Sequence, residues 1–362
     1  MALTVEKNVS LAQYTTLHVG GVADYFYRLT DEGELPALVH FAKEKKVPIT
    51  VLGGGSNVLI ADGQLARLVL KNELRGKKVE VDANGVVQYT VAAGEAWDDF
   101  VLETVEKGLT GLENLSGIPG TIGAAPIQNI NAYGAEVGAA IASVRVFDTE
   151  TMTFRELTKE ACQFAYRESV FKTSAGAHCI VTAVTFILTP AGTTDLSYRS
   201  ASQSIQKYLQ EQHITTPSVS DIRNAILHVR GNIGMLRGQY CSAGSFFKNT
   251  IISATDFTHV EAIVETRFLE QHKKFSPWYW ALPDGRVKIS TAFLMECTPY
   301  NKHTYGKNRW RGVVGLSPLH SLSIVTEVGA TANDVDAFVQ EIIFSVKNIF
   351  SLTIETEVNF IS

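Results

Sequence analysis

Residues 117–134 read Gly-Ile-Pro-Gly-Thr-Ile-Gly-Ala-Ala-Pro-Ile-Gln-Asn-Ile-Asn-Ala-Tyr-Gly, and no other stretch restricts the possible folds of this chain as much. They lie inside a longer glycine-rich segment, residues 108–138. Helices and strands accept such a density of Gly and Pro poorly, and a connection of this length inside a compact domain usually has a task. Glycine and alanine recur through the stretch, so a large flat ligand could lie directly against backbone. Gln128, Asn129 and Asn131 add amide donors and acceptors suited to the edge of a heteroaromatic ring.

A chain of 362 residues exceeds one ordinary core, so two or three domains are expected. Apolar content of 45% with 19% charge matches a globular enzyme, not a disordered or fibrous chain. A formal net charge of -5 supplies no field to gather nucleic acid or an anionic membrane, so any phosphate-binding cations must be local. Residues 1–10 carry Glu6 and Lys7 and lack the apolar core of a signal peptide. The longest apolar run, residues 180–188, is broken by Thr182 and Thr185 and is far short of the roughly 20 residues that span a bilayer. A cytoplasmic protein is expected. Cys162, Cys179, Cys241 and Cys297 form no C-x-x-C pair, so free thiols are expected and no metal, with Cys241 read as a packing thiol.

The periodicity predicts a strand over residues 22–29, an amphipathic helix over 32–46 and a second strand over 48–52. Short strands follow near 67–71, 86–92, 143–148 and 179–188, with one helix over 96–107. Residues 189–194 suggest a break, followed by helices near 201–212 and 218–229. A short helix over 290–297 and a strong one over 332–350 come next, the latter with an apolar stripe and Thr331 or Asn333 as cap. A last strand over 351–360 places Glu355 and Glu357 on one face.

Four further segments carry chemistry. Gly53-Gly54-Gly55-Ser56-Asn57-Val58 follows a strand and can bring several backbone N–H groups close to anionic oxygens. It is neither G-x-G-x-x-G nor a P-loop, and a plain tight turn is an equal reading. Tyr166-Arg167-Glu168-Ser169 offers a guanidinium for a carboxylate or enolate, or simply a salt bridge to Glu168. Gly244-Ser245-Phe246-Phe247-Lys248-Asn249 sets one hydroxyl in a glycine-opened turn. Glu355-Thr356-Glu357 gives two acids that are catalytic or merely solvated.

Taken in this order, the segments resemble the UDP-N-acetylenolpyruvoylglucosamine reductases over nearly the whole chain, beginning with Thr15-Thr16-Leu17-His18-Val19-Gly20-Gly21. The resemblance implies an α+β fold: a two-part FAD-binding module of the vanillyl-alcohol-oxidase-like type over residues 1–72 and 73–215, then an α+β substrate-binding domain over 216–350. The strand 351–362 would return near the active site. Tyr198 resembles the tyrosine that marks the type I branch, although Arg199-Ser200 replace the usual Gly-Asp.

The implied reaction is NADPH-dependent, FAD-mediated reduction of UDP-N-acetylglucosamine enolpyruvate to UDP-N-acetylmuramate, for peptidoglycan precursors. Arg167, Ser245 and Glu357 would carry the chemistry. Non-covalent FAD would lie on Gly53, Gly54, Gly55, Ser56, Asn57 and Val58, and on Ile118, Pro119, Gly120, Gly123, Ala124, Pro126, Gln128, Asn129 and Tyr133, with Ile180 and Arg230 completing the site. Tyr166, Tyr198, Lys248, Asn249 and His320 would meet the UDP-sugar, and the protein would act as a monomer. Ile233 stands where the family carries a phosphate-contacting lysine, leaving Arg237 or Lys248 to replace it, and Asn359 stands where arginine is frequent. Two other readings stay open. One is an oxidase or dehydrogenase on the same module, with His18 as a covalent flavin anchor. The other is a non-catalytic flavin- or UDP-sugar-binding regulator.

Overall fold

The computed structural model describes residues 3–190, 199–275 and 277–362. Tyr198 lies outside the described residues. The chain divides into two compact units. The first comprises Met1–Val9, Val22–Gly54 and Gln64–Gly231, and the second Ser10–Gly21, Gly55–Gly63 and Asn232–Ser362. The stretch 216–350 expected as a substrate domain is thus shared between them at Gly231.

In the first unit a four-stranded sheet runs in the order Glu6–Ser10, Val22–Leu29, Gln64–Asn72, Ile49–Leu52. Val22–Leu29 and Ile49–Leu52 are both parallel to Gln64–Asn72. Parallel neighbours need a crossover, and helix Leu35–Lys45 supplies it between Val22–Leu29 and Ile49–Leu52. Leu35, Leu38, Val39 and Ala42 on one face of that helix pack with Leu29, Leu68 and Leu70 of the sheet. Lys46, in the left-handed conformation at φ 55°, ends the helix.

The second sheet is antiparallel, in the order Thr153–Thr158, Ile141–Asp148, Cys179–Pro190, Val87–Ala92, Lys77–Val81. Helix Trp97–Glu106 lays Trp97, Phe100, Val101 and Val105 into its core with Tyr89, Val144, Val184 and Phe186. Burying each such side chain is worth about 1.5–3 kcal/mol. Alternation along Ile141–Asp148 and Cys179–Pro190 turns Phe147 and Ile180 to the other core, beside the helix Leu35–Lys45 residues.

The second unit is organised around helix Ala332–Phe350, which opens with a capping box between Thr331 and Asp334. The Asp62 carboxylate accepts from the amides of Ala332 at 2.9 Å and Asn333 at 2.8 Å, placing negative charge at the positive end of the helix. Val335, Phe338, Val339, Ile342 and Val346 pack with Leu17, Val19 and Leu59, brought in from the two early segments. Strands Ser242–Ser245 and Val314–Leu316 flank Ser323–Thr326 in a small antiparallel sheet.

The terminal strand expected over 351–360 is confined to Asn359–Ile361, which pairs in parallel with Val58–Ile60. Residues upstream make an isolated bridge, Phe247 to Thr356, instead of a ladder. Among the described residues no helix is long and apolar enough to cross a membrane.

Candidate functional site

In the first unit, two glycine turns meet backbone to backbone. A Cβ added to Gly53 would lie 2.6 Å from Thr121 Oγ1, and one added to Gly54 would lie 2.8 Å from Gly120 Cα. Only glycine permits that approach. Lys71 Nζ donates to the Gly53 carbonyl at 2.5 Å. The loop is tied down just beyond, where Ile122 N donates to Glu95 O at 2.9 Å and Gly123 N to Ala93 O at 2.8 Å. A Cβ on Gly123 would strike Ala93 Cβ at 2.6 Å. Ala124 faces outward, Ile118, Pro119, Gly120 and Gln128 are half-buried, and Pro126 is buried.

Asn129 organises the middle of the loop. It is 0% exposed, and its backbone sits at φ 47°. Its Nδ2 donates to Glu136 Oε2 at 2.8 Å and to the Ala165 carbonyl at 3.0 Å, while its Oδ1 accepts from Gly138 N at 2.9 Å. Ser169 Oγ donates to the Ile127 carbonyl at 2.5 Å. These bonds stitch the loop to the turn that bears Arg167.

That turn is tight: Ala165 and Glu168 exchange both backbone hydrogen bonds, at 3.0 and 3.1 Å. Tyr166 and Arg167, both half-buried, are its two central residues. Arg167 has φ 57°, a conformation costing a non-glycine residue about 1–2 kcal/mol. Lys172 Nζ holds the turn by donating to the Arg167 carbonyl at 2.8 Å and to Glu168 Oε1 at 3.0 Å. Glu168, one of the acids weighed as a partner for Arg167, forms an ion pair with Lys172.

Ile180 lies in the wall of a cavity of about 380 Å³ that is also lined by Val39, Val51, Ile127 and Phe171, with Lys43 and His178 on its polar side. That size suits part of a cofactor. At the end of the loop, Tyr133 adopts φ 50° and its hydroxyl accepts a hydrogen bond from the Arg230 guanidinium. Burial raises the Tyr133 hydroxyl's pKa, partly opposed by Arg230, and lowers that of the guanidinium, which is 8% exposed. Asn131 Nδ2 is buried without a hydrogen-bond partner among the described residues.

In the second unit, Ser245 ends strand Ser242–Ser245, opposite Ser323, just after Gly244 at φ 75°. Phe246 and Phe247 are buried and anchor the turn. Glu357 N donates to Phe246 O at 2.8 Å, and Lys248 N to Glu355 O at 2.9 Å, so the terminal segment lies along the serine motif. Asn57 Nδ2 donates to the Glu357 carbonyl at 3.3 Å. Glu357 is half-buried and Glu355 exposed, with Lys248 Nζ 3.2 Å from Glu355 Oε2.

Asn249 Oδ1 accepts from Thr291 N at 3.2 Å, and His320 Nδ1 from Leu322 N at 3.2 Å. Gly55, at φ 65°, has no room for a Cβ, which would meet Tyr14 O at 1.8 Å. Ser56 and Val58 are half-buried beside it. The unit thus gathers Asn57, Ser245, Lys248 and Glu357 on adjoining backbone, whereas Arg167, Tyr166 and the loop residues belong to the first unit. Arg237 is exposed, and Ile233 half-buried. His18, the candidate covalent anchor, has its Nδ1 3.7 Å from Cys241 Sγ. Sequence reasoning missed Asp98, Arg223 and Asp62, polar residues whose partners are distant along the chain; only the helical spacing of Arg223 and Arg230 offered a signal.

Residues 23–155 match the model of an FAD binding domain, and residues 237–361 that of the UDP-N-acetylenolpyruvoylglucosamine reductase C-terminal domain. The UDP-N-acetylenolpyruvoylglucosamine reductase of Thermobifida fusca is 36% identical over 99% of this chain and 98% of its own. The chain belongs to this reductase family. The corresponding reductase of Pseudomonas aeruginosa is 33% identical over 99% of both chains. The crystal structure of the UDP-N-acetylenolpyruvylglucosamine reductase from Thermus caldophilus shares the fold, with a TM-score of 0.63 at 24% identity over the whole of both chains. The protein is therefore an oxidoreductase of this family, α+β in fold, with an FAD-binding domain followed by the reductases' own C-terminal domain.

Proposed function

We propose that the protein reduces UDP-N-acetylglucosamine enolpyruvate to UDP-N-acetylmuramate, a peptidoglycan precursor, using NADPH and non-covalently bound FAD, as a cytoplasmic monomer. The stitching of the Arg167 turn to residues 127–129 carries this reading, because it fixes a permanent cation against the segment that resembles a flavin loop. The residues present fit the cofactor. The backbone contact of Gly54 with Gly120 leaves amides for a diphosphate, the 380 Å³ cavity offers apolar walls, and Asn131 keeps an amide donor in reserve. When bound there, the flavin would supply the hydride chemistry that links NADPH to C3 of the enolpyruvyl ether.

The chain's own residues must make that carbon electrophilic and deliver a proton to C2. Arg167 is assigned to the substrate carboxylate, where its charge stabilises the enediolate-like form. Ser245 is assigned the proton for C2, with the cation of Lys248, three residues on, offsetting the alkoxide that develops. Glu357, held beside the serine motif by its backbone, completes the carboxylate clamp. Gly53 to Val58, residues 118–133, Ile180 and Arg230 are assigned to the cofactor; Tyr166, Lys248, Asn249 and His320 are assigned to the UDP-sugar.

Anaerobic stopped-flow spectroscopy tests the assignment. The yellow protein should bleach with NADPH and recover its colour when mixed with the enolpyruvyl UDP-sugar. A reduced protein that the UDP-sugar binds but does not reoxidise would make this chain a regulator instead. Colour that remains attached after denaturation would show a covalent flavin and favour the oxidase reading.

A further inference from the structure

Arg223 and Arg230 are seven residues apart on helix Val219–Asn232. Seven residues are close to two full turns, so both lie on one face, roughly 10 Å apart along the axis. Both are buried, at 6% and 8% exposure. Each engages one end of the glycine-rich loop. Arg223 forms a two-point bond to Asp98, Nη1 to Oδ1 at 2.7 Å and Nη2 to Oδ2 at 2.8 Å. Asp98 Oδ1 in turn accepts the amide of Gly117, the first residue of the loop, at 2.6 Å. Arg230 donates to the hydroxyl of Tyr133, near the loop's last residue, and the carbonyl of that same Tyr133 accepts from Asn114 Nδ2 at 3.1 Å.

We infer that Arg223 is a positioning residue for the cofactor: through Asp98 it fixes the entry of loop 117–134, as Arg230 fixes its exit, and helix Val219–Asn232 acts as a two-point clamp. A bidentate guanidinium–carboxylate pair is rigid in a way that a lysine point charge is not. The rigidity is passed to Gly117 and on to Gly120, whose backbone meets the Gly54 turn. Burial opposes the charged form of Asp98, yet the Arg223 fork and the Gly117 amide hold its carboxyl below the ordinary carboxylate range. Arg223 is buried and Asp98 half-buried, so removing the arginine leaves a partly desolvated carboxylate without its guanidinium partner. The inference rests on the reading of residues 117–134 as a flavin loop.

The test compares the full chain with Arg223→Met and Arg223→Lys, by FAD titration and by hydrogen–deuterium exchange of the apoprotein. Arg223→Met should weaken FAD binding about tenfold or more and speed exchange in the peptide containing Gly117. Peptides from strand Gln64–Asn72 should keep their wild-type exchange, which excludes general unfolding. Arg223→Lys, which restores charge but not the fork, should recover part of the affinity. Unchanged exchange at Gly117 overturns the clamp and leaves the flavin reading intact. Faster exchange with unchanged FAD affinity overturns the inference by showing that the cofactor does not use this loop.

Discussion

The amide of Glu357 donates to the carbonyl of Phe246 at 2.8 Å, which seats the terminal glutamate against the residue that follows Ser245. The contact is between main chains, so the side chain of Glu357 or of Ser245 can be changed without breaking it. Kinetic effects at these two positions should therefore report chemistry more than folding.

Ser245→Ala should leave flavin reduction by NADPH at the wild-type rate. Reoxidation by the enolpyruvyl UDP-sugar should fall by about 10²-fold or more, as when a positioned proton donor is lost. Stopped-flow measurement of the two half-reactions separates these effects, and equal slowing of both would remove Ser245 from the proton-transfer step.

Gly54→Ala places a Cβ 2.8 Å from Gly120 Cα. Backbone cannot yield as a flexible side chain can, so the two turns must part. The purified variant should be folded by circular dichroism and should carry little or no flavin absorbance. Wild-type flavin content would show that the cofactor does not need this contact.

Asn129→Ala removes an acceptor for Gly138 and a donor to Glu136 and Ala165 at a fully buried position. With the groups left unsatisfied, a loss of about 2–4 kcal/mol is expected. Chemical denaturation measures it. The loosened Arg167 turn should also slow reoxidation by the UDP-sugar more than reduction by NADPH.

The thiols give a pH dependence. Burial, before any neighbouring carboxylate, pushes Cys162 and Cys297 up to about 12, whereas an unfolded thiol ionises near ~8.5. Their folded pKa lies above the unfolded one. The stability they contribute is thus complete below the unfolded value and is lost as pH rises towards the folded value. Denaturation midpoints should fall between about pH 9 and pH 11, and Cys162→Ala together with Cys297→Ala should flatten that fall.

Cys179 lines the same cavity as Ile180 and Ile127. If that cavity takes part of the cofactor, FAD should slow maleimide labelling of Cys179 while leaving labelling of Cys241 unchanged. Mass spectrometry of the apo and holo forms decides it, and equal Cys179 labelling in both would place the cofactor elsewhere.

Local pattern made several elements legible. Strand Val22–Leu29 carries the aromatic run Tyr25-Phe26-Tyr27 and is bounded by Gly21, and helix Ala332–Phe350 carries both its stripe and the Thr331 cap. Helix Ala254–Arg267 escaped, although Phe257, Val260 and Val264 sit at helical spacing behind a Ser253 cap, because its many β-branched residues mask the period. Alternation misled at residues 351–358, where Glu355 and Glu357 mimic a strand but the backbone bonds singly to the serine motif. The glycine, arginine and serine motifs could be read locally. The Asp98–Arg223 pair, 125 residues apart, could not.

The second unit borrows Leu17, Val19 and Leu59 from segments that precede its main body at Asn232. During synthesis these apolar side chains leave the ribosome long before the partners that will cover them. For that interval the nascent chain exposes sticky surface that local folding cannot hide, which makes it a natural client for a holding chaperone. Neither can the unit be excised as one continuous fragment: a gene truncated to begin at residue 232 would lack part of its own core.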